Sequence, residues 1–191
     1  ELQLVINLLN TNKLVGQINY LSIRFKQDNL GEKELTQLNK LIGERIRRSE
    51  TLGEKRTESI VENTVLNHPI AHEAPYQLED LFAWSKSATK EVIHPILKSV
   101  VLFYELLRIR PFVHGNFLTI VYFYYLALGS CGYETELSSL EEELYKSKQK
   151  LFETLAKVEM SERGMDDLME LMVGLLAVVI EKTRVRVMNV T

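Results

Sequence analysis

Apolar positions along the 191-residue chain recur mostly at intervals of three and four, the spacing that lines one face of a helix. From Leu2 to Phe25 this rhythm predicts a helix, ended by the turn formers of QDNLG. A second amphipathic segment starts near Gly31, with Leu35, Leu38, Leu41, Ile42 and Ile46 on one stripe. It is expected to run, bent near Gly53, to about Asn63. The stretch TVLNHPIAHEAP then breaks the rhythm with two prolines and reads as a loop. YQLEDLFAWSKSA resumes as a short helix that turns Leu78, Leu81, Phe82 and Trp84 inward.

The next two helices have almost no polar face. The first is expected from Val92 to Ile109, with Pro95 tolerated in its first turn, where a missing N–H has no intrahelical partner. The second is expected from Asn116 to Cys131. Helices apolar all round belong in a core, so the short joining segment RPFVHGN is held at the centre of the domain. Two amphipathic helices should follow, Leu137 to Val158 and Met165 to Lys182, separated by the polar MSERGMD. The end of the chain, RVRVMNVT, alternates and reads as a strand or as the start of a further module. The expected fold is all-α, with residues 1–54 as an N-terminal helical hairpin, 55–183 as the core and 184–191 as a tail.

Composition narrows the function classes. A net charge of -3 and a pI near 5.9 argue against general attraction to nucleic acid, which needs a basic face. Arg45, Arg47 and Arg48 are answered by Glu44, Glu50 and Glu54 and read as a solvated helix face. The longest apolar run, Phe117 to Leu128, falls short of the roughly 20 residues of a membrane span. Cys131 is the only cysteine, which excludes an internal disulfide and fits a reducing, cytoplasmic compartment. His68 and His72 stand four apart, a spacing that can hold zinc on a helix, but Pro69 and Pro75 oppose a helix there and no third ligand follows. No metal site is expected. The opening ELQLVINLLN lacks an initiator Met, so the chain reads as a piece of something longer.

HPILKSVVLFYELLRIRPFVHGN, followed by a buried helix and LALGSCGY, resembles the core of the Fic (Fido) domain, whose signature reads HPFxxGNGRxxR between two central helices. PYQLEDLFAWSKSA is similar to that family's helix before the core, LEEELYKSKQKLFETL to its helix after it, and ESIVENT to a segment that in many members carries an inhibitory glutamate, here Glu62. The resemblance covers roughly residues 55–183. It implies a Fic-like helical bundle and, in typical members, AMP transfer from ATP to a hydroxyl of a target protein. There the signature histidine takes the proton, an acidic residue holds magnesium, Gly and Asn cradle phosphates and two arginines neutralise charge.

Carried onto this sequence, the histidine falls on Arg110, which stays protonated and is no base near neutrality. The magnesium ligand falls on His114, a poor match for an ion that prefers oxygen. The GNGR glycine becomes Phe117, and the two arginines become Leu118 and Val121, while Pro111, Phe112, Gly115 and Asn116 remain. The resemblance therefore implies a catalytically inactive Fic-like domain without cofactor, acting through a protein partner or self-association. Gly115 and Asn116 are the residual nucleotide-binding candidates. The alternatives are an atypical AMP transferase using ATP and magnesium, with His114 as base, and a nucleotide sensor.

Glu62 loses its usual partner with Val121, and Arg110 is its candidate replacement. A flap hairpin is expected to be absent or very short, because prolines crowd TVLNHPIAHEAP. The relic cleft should be largely filled, with Phe117 inward. Nucleic acid enters only if a winged-helix module follows residue 191.

Overall fold

The structure is a computed structural model that describes residues 30–46, 53–60, 65–88, 93–133, 136–161 and 163–188. These form α1 (Glu32–Ile46), α2 (Ala74–Ser87), α3 (Pro95–Ile109), α4 (Asn116–Ser130), α5 (Leu137–Lys146), α6 (Lys148–Met160) and α7 (Gly164–Met188). No strand forms among the described residues, where one antiparallel bridge pairs Lys55 with Phe112. The all-α expectation holds, and no hairpin occupies 65–73. The helix expected over Leu2 to Phe25 lies outside the described residues.

The bundle is built around α4, in which every residue from Thr119 to Leu128 is buried. Helices α1, α3 and α5 pack against it, and α7 lies along α5 and α6 and touches α3. Leu35, Leu38 and Ile42 carry the buried stripe of α1, as its spacing predicts. The Phe82 ring of α2 meets Phe123 edge-on at 5.8 Å, and Phe103 lies 5.3 Å from Tyr124. Such tilted aromatic pairs add to the area they bury.

Sequence sets the helix ends. Pro95 opens α3, and the ring of His94 accepts the Ile96 N–H through Nδ1 at 3.3 Å, satisfying one otherwise free donor. The same helix stops at Arg110 because the following Pro111 disfavours a helical residue before it. Arg110 turns instead into the left-handed region, φ 47°, and its N–H closes on the Leu106 carbonyl at 2.9 Å.

Three elements differ from the sequence reading. The helix expected from Gly31 to about Asn63 is interrupted: α1 is described to Ile46, and residues 53–60 are not helical, with Lys55 bridged to Phe112 of the loop after α3. The single helix expected from Leu137 to Val158 is divided at Ser147 (φ -93°, ψ 10°), which keeps both Leu140 with Leu144 and Leu151 with Leu155 in the core. Residues 184–188, read from the sequence as a strand or the start of a further module, extend α7. Their alternation was local; adjoining helical residues decided the outcome. The α6–α7 turn depends on Gly164, where a Cβ would lie 2.3 Å from the Lys157 carbonyl oxygen.

Candidate functional site

The segment from Arg110 to Asn116 is fastened by polar groups from three directions. From α4, the Asn116 side chain reaches back to Phe112, with Oδ1 accepting its N–H at 2.9 Å and Nδ2 donating to its carbonyl at 2.7 Å. On α1, Asn39 is 2% exposed, and its Nδ2 donates to the His114 carbonyl and to Thr119 Oγ1, both at 3.0 Å. Its Oδ1 accepts the Gly53 N–H at 2.8 Å. The non-helical stretch 53–60 supplies the third, because Arg56 N–H donates to Pro111 and Val113 N–H donates to Glu54. Gly115, at φ 74°, makes the turn into α4, and a Cβ there would stand 3.3 Å from Asn39 Nδ2.

Arg56 does most of the holding. It is 7% exposed, and its guanidinium donates to the carbonyls of Arg110 (3.0 Å), Glu58 (3.1 Å), Ile109 (3.3 Å) and Pro69 (2.5 Å). A guanidinium offers five N–H groups in a rigid fork, which suits a site where several carbonyls converge. Two of these acceptors lie at the C-terminal end of α3, where the helix dipole favours a cation. Burial, and then the charge of Arg110, lower its pKa from the ordinary value. Next to it, the Lys55 ammonium stands 3.0 Å from a Glu32 carboxylate oxygen and 4.8 Å from the Phe112 ring centre.

Beside this loop a cleft of about 610 Å³ opens, within the size range of small-molecule sites. Arg110, His114, Gly115, Asn116, Phe117 and Leu118 line it from the loop and α4, His68 from the 65–73 loop and Phe152 from α6. The expectation of a filled relic is therefore corrected. Phe117 is 50% exposed and forms a wall. The reason is helical geometry: Asn116 already occupies the inward position of the first turn, so its neighbour is carried round toward solvent.

Nδ1 of His68 lies 2.7 Å from the Arg108 carbonyl, which can only accept, so Nδ1 carries the hydrogen and Nε2 keeps a lone pair. Burial lowers the pKa of His68, with Arg110 and Arg56 adding to the effect, while the Arg108 bond and Glu159 oppose it. Glu159 also accepts from Asn67 Nδ2 at 2.6 Å and from the Tyr104 hydroxyl at 2.7 Å, tying this loop to α3 and α6.

A second cavity of about 400 Å³ adjoins the cleft and shares Phe117, Leu118 and Phe152 with it. Val121, Leu144 and Leu151 supply its deeper wall, with Glu141 at the side. Burial raises the Glu141 carboxyl above its ordinary pKa, against the Tyr122 hydrogen bond that lowers it.

Among the sequence-predicted positions, the structure brings Arg110, His114, Gly115, Asn116 and Leu118 to one cleft, and places Val121, 2% exposed, in the neighbouring cavity. Glu62, and with it the proposed Arg110 pairing, lies outside the described residues. No group of three or more metal-ligating side chains occurs among the described residues. Nor is any helix among them long and apolar enough to cross a membrane. Asn39 and Arg56 were not singled out by sequence, and His68 was weighed only as a zinc ligand with His72. A polar residue on the apolar stripe of α1 marks Asn39; nothing distinguishes Arg56 within its charged run.

The Fic/DOC family profile matches residues 29–128, just over half of the chain. The chain belongs to the Fic/DOC family. Solved structures with the same fold include a Fic family protein from Desulfovibrio desulfuricans G20, at a TM-score of 0.70 and 16% identity, with 94% of this chain and 53% of that one covered. Fic-1 (residues 134–508) from C. elegans matches at a TM-score of 0.63 and 16% identity, covering 85% of this chain and 44% of that one. A Fic domain containing signaling protein from Bacteroides thetaiotaomicron VPI-5482 matches at 0.61 and 16%, covering 92% and 71%. At these identities the likeness is one of fold, and the chain spans about half the length of the first two. No curated protein sequence matches it.

Proposed function

We propose that this Fic-fold domain does not transfer AMP by the family's usual route and serves as a binding and interaction module, with a protein partner or a second copy engaging its surface. The observation that carries the reading is the position of Arg110. It lines the cleft where the Fic signature has its histidine, and a guanidinium cannot take a proton from an incoming hydroxyl. Losing a positioned base costs about 100-fold to 10,000-fold in rate, and the apolar Leu118 and Val121 provide none of the charge stabilisation that arginines would add. The exposed Phe117 and Phe152 at the cleft mouth, with Val65 and Val113 beside them, support an interaction role.

Incubation with labelled ATP, magnesium and candidate proteins should leave every protein unlabelled. Transfer that disappears on Arg110→Ala would overturn the reading. One observation favours a second reading, a nucleotide sensor: the cleft is open and large enough for a nucleotide. Against it, Phe117 and Leu118 occupy the first turn of α4, and the Asn116 amide is engaged by Phe112. Calorimetry with ATP and ADP should give no heat at millimolar nucleotide, and measurable heat would favour the sensor. A cytoplasmic location is part of the same proposal, supported by Cys131 being the one cysteine of the sequence.

A further inference from the structure

We propose that a second copy of this chain docks on the outward face of α7, the two helices crossing antiparallel about a twofold axis at Ala177. This rests on the reading of the domain as an interaction module, and names the partner and the surface.

The first support is a helix apolar on two sides and covered on one. Leu168, Met172, Leu176 and Val179 of α7 are buried against the bundle. On the other side Val173, Val178, Ile180 and Val185 are 37–48% exposed, with Gly174 and Ala177 exposed between them. A helix apolar all round belongs between two packed surfaces, and none among the described residues is long and apolar enough to cross a membrane. No residue of α7 lines either cavity, so this face is separate from the cleft and its use leaves the cleft open.

Charge identifies the occupant. Glu170 and Arg184 are exposed, and neither has an ion-pair partner among the described residues. Each stands seven residues from Ala177, about 10 Å along the helix. Seven residues make two turns less about 20°, so all three lie nearly on one line of the outward face. About a twofold axis at Ala177, Glu170 of each copy meets Arg184 of the other, giving two ion pairs. A parallel pairing would set Glu170 against Glu170 and Arg184 against Arg184, which like-charge repulsion disfavours. Opposite charges at equal distances from one residue are what self-recognition needs.

Gly174 is the third support. A Cβ added there would meet nothing within 4 Å, so no contact inside the described protein calls for glycine, a residue that weakens a helix interior. Beside Ala177 it lets a second backbone approach closely, while the valines and Ile180 close the flanks.

Sedimentation equilibrium of the chain from about 5 to 300 µM tests this, a range that brackets the affinity of a small interface. The mass should rise reversibly from 22.1 kDa toward twice that value. Glu170→Arg should weaken Kd at least about tenfold, since two attractive pairs become repulsive, and Arg184→Glu should do the same. The double variant Glu170→Arg with Arg184→Glu exchanges the signs and should return to within about threefold of the parent. Ala177→Glu sets like charges at the axis and should leave only monomer. If circular dichroism shows a charge variant unfolded, Gly174→Leu, which blocks the approach without adding charge, should abolish the dimer instead.

A monomer throughout the range, a Kd indifferent to Glu170→Arg, or a double variant as weak as the single ones would overturn the proposal. So would a dimer that survives Ala177→Glu and is lost on Phe117→Ser, which would place the contact at the cleft mouth. Labelled-ATP transfer measured on the same preparation separates the two readings. A monomer that transfers nothing removes only the dimer, whereas transfer removes the proposed function.

Discussion

Replacing Arg56 by Met would remove the guanidinium while keeping an apolar stem of similar reach, and would leave four carbonyls without their donor. The bonds to Glu58 and Arg110 are partly exposed, so water can replace the guanidinium there. Those to Pro69 and Ile109 are buried. Stranding a buried acceptor costs about 1–3 kcal/mol, so these two together set a loss of about 4 kcal/mol. For a chain of this size 1 kcal/mol moves Tm by about 2–4 °C, which puts the expected fall at about 12 °C. Arg56→Lys keeps the charge but not the fork and should fall between Met and the parent. Urea and thermal unfolding followed by circular dichroism at 222 nm, with far-UV spectra confirming the fold at low denaturant, give the numbers. An Arg56→Met chain within about 1 kcal/mol of the parent, at an unchanged denaturant slope, would refute the assignment of Arg56 as the clasp of this loop.

The other predictions concern the neighbouring supports. Asn39→Ala removes bonds to His114, Thr119 and Gly53 and should cost about 2–3 kcal/mol in urea unfolding. Gly164→Ala places a methyl group against the Lys157 carbonyl and should cost about 1–3 kcal/mol, because backbone must move to admit it. His68 is held neutral in the fold, so the unfolded chain binds the extra proton first as pH falls. Its contribution to stability should be complete above its ordinary value of about 6.5 and fade as pH drops through that value toward the lowered folded one. His68→Gln should flatten that part of the stability–pH curve, and an unchanged slope between pH 7.5 and 5.5 would count against the assignment.

What the sequence made legible was the apolar scaffold. The two helices around RPFVHGN appear within three residues of their expected starts, because a continuous apolar circumference has few alternatives to burial. Where periodicity was carried too far it failed for local reasons. The stripe of α1 ends before Gly53, and beyond it residues 54–56 find their hydrogen bonds across the loop instead of along a helix. The loop positions 110, 114, 115, 116 and 118 were read as one site and lie around one cleft. The state of that cleft was not legible, since the direction of Phe117 depends on Asn116 turning back to Phe112, a contact that spacing alone does not reveal. Arg56 and His68 came to the site through non-helical backbone and a proline-rich loop, whose paths have no periodic signature.

Asn39, Arg56 and Asn116 grip main-chain atoms of the loop and ask nothing of the side chains at 110, 114, 117 and 118. Form and reactivity are thus encoded by separate sets of residues. A turn anchored in this manner can exchange its outward groups one at a time while its trace stays put, so a lineage could discard one chemistry and acquire another without ever passing through an unfolded intermediate.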